Sequence, residues 1–239
     1  MARITDDFTN PVGGTRPLND TGINLCADVS QNNLACPVSG FPGQDAEYGR
    51  DVTHNDINDG HAGFSFTKIS NSGNALPAEA ALGSGPNDWA CTRDNVTGLI
   101  WEVKTDDGLR AKRLRYSWHD PDATTNGGYA GGGVLCDSDT HTFVQAVNNQ
   151  DQGLCGASDW RLPNRFELAS LTRDDKAPAM DSAFFHTEIA PSSGPVVWSS
   201  SPYAGDANYA WNVNFSNGLI FSNKLKNDCL YVWLVRGGQ

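Results

Sequence analysis

Six cysteines, at positions 26, 36, 91, 136, 155 and 229, constrain what this chain can fold into more than any other feature. None forms a Cys-x-x-Cys pair or stands at zinc spacing from a histidine, which speaks against zinc and leaves the even number to read as a disulfide framework. Spacing favours local bridges. Cys26 would join Cys36 around an asparagine-rich loop, Cys136 would join Cys155 across a helical segment, and Cys91 and Cys229 would remain as a pair; other pairings stay open. Such bridges imply periplasm, cell surface or medium, whereas six buried thiols would fit the cytosol.

The chain divides near residue 88 into two unlike stretches. Residues 1–88 are rich in Gly, Pro, Asn, Asp and Ser, and predict a loop-rich N-terminal region with one alternating strand from Phe64 to Ile69. The signals sharpen over 89–239. "WACTRD" and "GLIWEVK" flank "NVT" as a hairpin, and the glycine-rich loop "TTNGGYAGGGV" follows. A helix is expected from Asp139 to Asn149, with Phe143, Val144, Ala146 and Val147 on one face and Asp137 or Asp139 as its cap. A second opens at Pro163, where Asn164 can cap and Glu167 can reach back, placing Phe166 and Leu168 through Leu171 against the core. "VVWSSS" and "YAWNVNFSNG" read as strands, the latter turning Trp211, Val213 and Phe215 inward and Asn212, Asn214 and Ser216 outward. With Asn217-Gly218 as a hairpin turn, a closing meander is expected at 209–216, 219–224 and 230–236.

"TGLIW", "FVQAVN", "GLCGASDWRLPNRFEL", "WSSSPYAGDANYAWNVNFSNG" and "VRGGQ" together resemble, in order and spacing, the Lcl C-terminal domain family, named after a domain of a bacterial collagen-like adhesin. Trp160, Arg161, Leu162, Pro163 and Glu167 carry the most specific part, with Asn164 where the family more often has Thr. The resemblance implies an α+β, C-type-lectin-like fold, with two helices around a small, mostly antiparallel sheet whose last strands bind ligand. It also implies a bacterial or phage source and relatives that adhere to glycosaminoglycans.

Six asparagines lie between residues 208 and 227, at 208, 212, 214, 217, 223 and 227. That tail resembles the variable region of target proteins diversified by retroelements, in which mutagenesis at template adenines turns asparagine codons into others. The expected ligand-binding residues are Tyr209, Asn212, Asn214, Ser216, Leu219, Phe221, Ser222, Lys224, Lys226, Asp228, Leu230 and Trp233. An ordinary solvated edge, with Leu219, Ile220, Phe221 and Trp233 in the core, is the plainer alternative. Phe221, Leu230, Tyr231 and Trp233 cannot all point one way, so some aromatic surface is expected to be exposed.

A second candidate is "RAKRLR", whose Lys112, Arg113 and Arg115 have a basic spacing suited to sulfated glycans; a solvated loop is the alternative. Asp45, Asp51, Asp56 and Asp59 could supply oxygens to a structural calcium, although Ile57 breaks the EF-hand pattern; no other cofactor is expected. Histidines at 54, 61, 119, 141 and 186 lie far apart, and no nucleophile, phosphate-loop or metalloprotease motif occurs, so a binding protein is expected rather than an enzyme. The remote enzymatic alternative is a cysteine oxidase related to formylglycine-generating enzymes. Net charge of -11 argues against nucleic acid, and the apolar runs fall short of a membrane span. The expected partner is a protein or glycan on another cell or surface. The chain is expected to be extracellular or surface-attached, and a monomer by default, with a trimer open through the adhesin relatives.

Overall fold

The computed structural model describes residues 18–56, 58–133, 135–186 and 195–237. Its architecture is α+β, with short helices α1 (Arg50–Thr53), α2 (Thr140–Asn148) and α3 (Arg165–Ala169) beside mostly antiparallel sheets. Strands β1 (Phe66–Ser70), β2 (Ala75–Leu76), β3 (Trp89–Asp94), β4 (Ile100–Glu102) and β10 (Val235–Arg236) form one sheet, in the order β10-β4-β3-β1-β2. A second sheet runs β7 (Val196–Pro202), β8 (Tyr209–Asn214), β9 (Leu219–Leu225), and β5 (Tyr116–Ser117) pairs in parallel with β6 (Ser138–Asp139).

Local chemistry sets the helices. Asp139 caps α2 by accepting the Thr142 N–H at 2.9 Å, and Phe143 and Val147, one turn apart, fill the core. Asn164 accepts the Phe166 and Glu167 N–H groups at 2.9 Å while Glu167 accepts the Asn164 N–H at 2.8 Å, closing the expected capping box. Arg161 forks onto the same Glu167 carboxylate at 2.8 and 2.6 Å. Asn148 brackets the Trp160 backbone with two bonds, of 2.9 and 2.8 Å, so the end of α2 holds the start of "DWRLPNRFEL". Leu168 and Leu171 are buried as expected, but Phe166 is 67% exposed because a helix this short turns only one stripe to the core.

Two apolar clusters make the interior, and the second sheet lies between them. Trp198 and Ala210 join Tyr116, Trp118, Phe143 and Trp160 on one side. Their neighbours Val197 and Val213 join Trp101, Leu168, Phe215 and Trp233 on the other. Val197 and Trp198, adjacent on β7, and Val213 and Ala210, on opposite sides of β8, enter different clusters, so both strands carry buried residues on each face. Trp211, expected inward, is accordingly half-buried, and Asn212, expected outward, is fully buried.

The closing meander also differs from expectation, since its strands are β7, β8 and β9 rather than 209–216, 219–224 and 230–236. Residues 230–236 leave that hairpin and stitch the sheets together. Leu230 bridges Tyr116, Tyr231 runs parallel to Val197, and Val235 pairs with Trp101 and bridges Arg161. The bridges Cys26–Cys36, Cys91–Cys155 and Cys136–Cys229 account for all six cysteines. The first pair is as expected, whereas Cys136–Cys155 and Cys91–Cys229 are not formed. Long-range packing decides the partners instead: Cys155 joins Cys91 in one buried cluster, while Cys136 lies against Asn227, two residues from Cys229.

Candidate binding face

Strand β9 is the edge of its sheet; among the described residues no strand pairs with its outer side. Asn214 pairs with Leu219 across the turn at residues 215–218, where Gly218 takes φ +74° and the Asn214 side chain accepts the Ser216 N–H and hydroxyl. Beyond it the register shifts between Ala210 and Asn212, so Trp211 faces both Ser222 and Asn223. Leu219 is 53% exposed and Leu225 38%, while Tyr209, Phe221, Ser222 and Lys224 are half-buried at the surface. By register Leu219, Phe221 and Lys224, paired with Asn214, Asn212 and Ala210, turn to one face of the sheet, whereas Tyr209 and Leu225 pair on the other and Ser222 lies at the register shift between them. Asn214, Ser216 and Asp228 also reach the surface but serve turns; Asp228 accepts the Leu225 N–H at 3.0 Å.

Four expected site residues are core instead. Leu230 and Trp233 lie in the segment that stitches the sheets, and Asn212 sits on the doubly buried central strand opposite Trp198, with neither amide atom hydrogen-bonded. Lys226 is wholly buried: its ammonium donates to Asn126 O at 2.7 Å and Tyr129 O at 2.6 Å, and stands 4.2 Å from the Trp118 ring centre. Burial pulls its pKa below the ordinary lysine value, with Asp120 opposing. Lys226 therefore pins the glycine-rich loop. Gly131 has φ +75° there, and a Cβ on it would stand 2.3 Å from Trp118 O.

The basic segment does not converge. Lys112 pairs with Asp106 at 2.8 Å and meets His186 at 3.0 Å, while Arg113 and Arg115 are exposed. Bonds from Lys112 and then His186 hold the Asp106 carboxyl below its usual range. The acidic candidates are likewise divided. Asp56 accepts the Asn58 N–H and Asp59 the Ser65 hydroxyl, whereas Asp45 and Asp51 share the Thr21 hydroxyl. Ile57 lies outside the described residues. Among those residues, no group of three His, Cys, Asp or Glu is arranged to hold a metal.

Nothing in residue spacing pointed to Lys226 as a loop anchor, although a bend of consecutive glycines with bare carbonyls needs a donor from elsewhere. Among the described residues, no helix is long and apolar enough to cross a membrane. Three disulfides mark an oxidising environment. The sequence profile described as the Lcl C-terminal domain matches residues 90–236. No curated protein matches the chain.

Proposed function

The chain belongs to the Lcl C-terminal domain family, and we propose that it is a secreted or surface-attached ligand-binding protein of C-type-lectin-like fold whose binding face is edge strand β9 with the adjoining part of β8. One observation carries this reading. The strand with the most exposed apolar side chains, Leu219 and Leu225, is hung on a neighbour buried on both sides, so its side chains can serve a partner without serving the core. The same arrangement suits diversification by a retroelement, since Asn208, Asn217, Asn223 and Asn227 are all exposed.

A binding role is supported further by the cysteines, because six bridged sulfurs leave no thiol for a cysteine oxidase. The sulfated-glycan reading has less support, with Lys112 already paired to Asp106. The test is an array of bacterial surface proteins and glycans probed with the chain and with a Tyr209→Ala, Phe221→Ala, Lys224→Ala variant. The variant is expected to lose the signals at nearly unchanged Tm, whereas Trp233→Ala loses about 3–5 kcal/mol of stability. Retention of every signal by the triple variant overturns the reading. For diversification the decisive material is the genomic locus: a reverse transcriptase and an imperfect repeat of these codons are expected, and a locus with neither removes it.

A further inference from the structure

Beside the proposed face, the Arg165 guanidinium packs against two rings, its central carbon 4.7 Å from the Phe166 ring centre and 4.3 Å from that of Trp211. Tyr203 packs edge-on against Trp211, with centroids 5.5 Å apart and planes at 85°. Tyr209 shares the Trp211 face of β8 by strand alternation and pairs with Leu225. Arg161, Arg173 and Arg236 each reach a carboxylate of this chain. Arg165 does not: among the described residues its guanidinium makes no ion pair or hydrogen bond, and only its backbone N–H is used, donating to Ser201 Oγ at 3.3 Å.

We propose that this cluster is a docking site for an acidic protein segment, with Arg165 receiving a carboxylate and the surrounding rings receiving its apolar neighbours. The proposal deepens the reading of β8 and β9 as a binding face and rests on it. A guanidinium carries five donors in its own plane. Here two rings pack against the guanidinium while its donors are unused, and an arginine in that state can grip a carboxylate through two parallel bonds. Phe166, exposed at the start of α3, belongs to neither apolar cluster, and aromatic and arginine side chains are the usual anchors of protein interfaces.

Chemistry separates the possible occupants. Phe166, Tyr203, Trp211 and Leu225 offer flat apolar area around one fixed charge, which matches an acidic residue flanked by apolar ones. A glycan would bring many hydroxyls to few polar partners, and a nucleic acid would bring a run of phosphates to one cation on a chain of net charge -11. That net charge does not forbid an acidic segment, because at physiological salt charges beyond about 8 Å are largely screened.

Fluorescence anisotropy with labelled decapeptides tests the proposal on the full chain. The probes are one alternating Glu with Leu and Phe, a second with Lys in place of Glu, and a third alternating Glu with Gly. The first is expected to bind best, and Arg165→Gln to weaken it at least tenfold. Arg165→Lys should weaken it nearly as much, because an ammonium can neither stack on the rings nor fork. Phe166→Ser, at an exposed position, repeats the test should Arg165→Gln fold poorly. Val29→Ser, at an exposed position away from the face, should leave this affinity unchanged. Equal binding of the Lys peptide, or full affinity in both Arg165→Gln and Phe166→Ser, overturns the proposal. If Arg165→Gln keeps every array signal that the triple variant loses, the docking site falls while the binding face stands.

Discussion

Replacing Lys226 by Met should open the glycine-rich loop without touching the binding face. The substitution keeps an unbranched side chain against Trp118 but removes both donors, leaving the Asn126 and Tyr129 carbonyls without the bonds they accept at 2.7 and 2.6 Å. A buried acceptor stripped of its partner costs about 1–3 kcal/mol. Losing the cation above the Trp118 ring, 4.2 Å away, adds about 0.5–2 kcal/mol. Relief of the ammonium's desolvation, and water reaching Tyr129 on the surface, work the other way. The net loss is about 2–4 kcal/mol, or a fall in Tm on the order of 10 °C for a chain of this size. Differential scanning fluorimetry reads the fall. Hydrogen exchange locates it at the Gly132 amide, which donates to Trp118 O at 2.7 Å, and at Gly133, which donates to Ser117 Oγ at 3.0 Å. Lys224→Met is the surface control and should cost less than about 0.5 kcal/mol. Matching melting curves for the two variants, with exchange unchanged at Gly132 and Gly133, would falsify the assignment of Lys226 to the core.

Burial first, then the charges of Asp20 and Asp45, push the Asp51 pKa from 3.8 to about 7. Its folded-state value stands above the unfolded one, so the stability it adds is complete below about pH 4 and is lost as pH rises through about 7. Tm of the wild type should therefore fall relative to Asp51→Asn across that window, and parallel curves refute the effect. Opening the Cys136–Cys229 bridge, which spans 93 residues, with the two cysteines changed to Ser should cost about 4–5 kcal/mol by loop entropy. Non-reducing peptide mapping should recover Cys91 linked to Cys155, and a Cys136–Cys155 fragment sinks the assignment. Asn212→Leu keeps the side chain's shape while removing two unbonded buried polar atoms, and should raise stability by about 1–3 kcal/mol; a loss in urea unfolding means that the amide is satisfied after all.

The parts of the fold legible in the sequence are those that neighbours in the chain decide. The Asn164–Glu167 box and the Asp139 cap each close within a few residues and form as expected, and a turn forms at Asn217-Gly218 but takes in four residues, 215–218. Disulfide partners 64 and 93 residues apart leave no local trace, and a preference for near neighbours chose wrongly for four of the six cysteines. Strand β8 misled for another reason. Its alternation of apolar residues and asparagine implies one dry and one wet face, but a central strand between two clusters is dry on both, and Asn212 is buried with it. Lys226 reads as surface from composition alone, and only the fold brings two loop carbonyls to it. Arg165 carried no signal beyond its place beside the capping residue.

These corrections narrow where variation can be tolerated. Proceeding from β8, Phe215 is fixed by burial and Gly218 by its positive φ; further on, Lys226 is fixed by the loop, Cys229 by its bridge, and Leu230 and Trp233 by packing. Between those anchors lie the seven residues of β9, in an edge strand that can exchange side chains while its backbone bonds to β8 persist. The asparagines of the tail accordingly fall into two populations. Asn223, within β9, and Asn217 and Asn227, just beyond its ends, are exposed, whereas Asn212 is buried and belongs to the scaffold. A binding surface built this way has one strand of freedom, plus the flank that Tyr209 adds from β8. The Phe166, Arg165 and Trp211 cluster on that flank lies outside the strand and can therefore stay constant while the strand changes. Affinity for a class of partner and discrimination within that class would then come from different residues, the constant arginine and the variable edge.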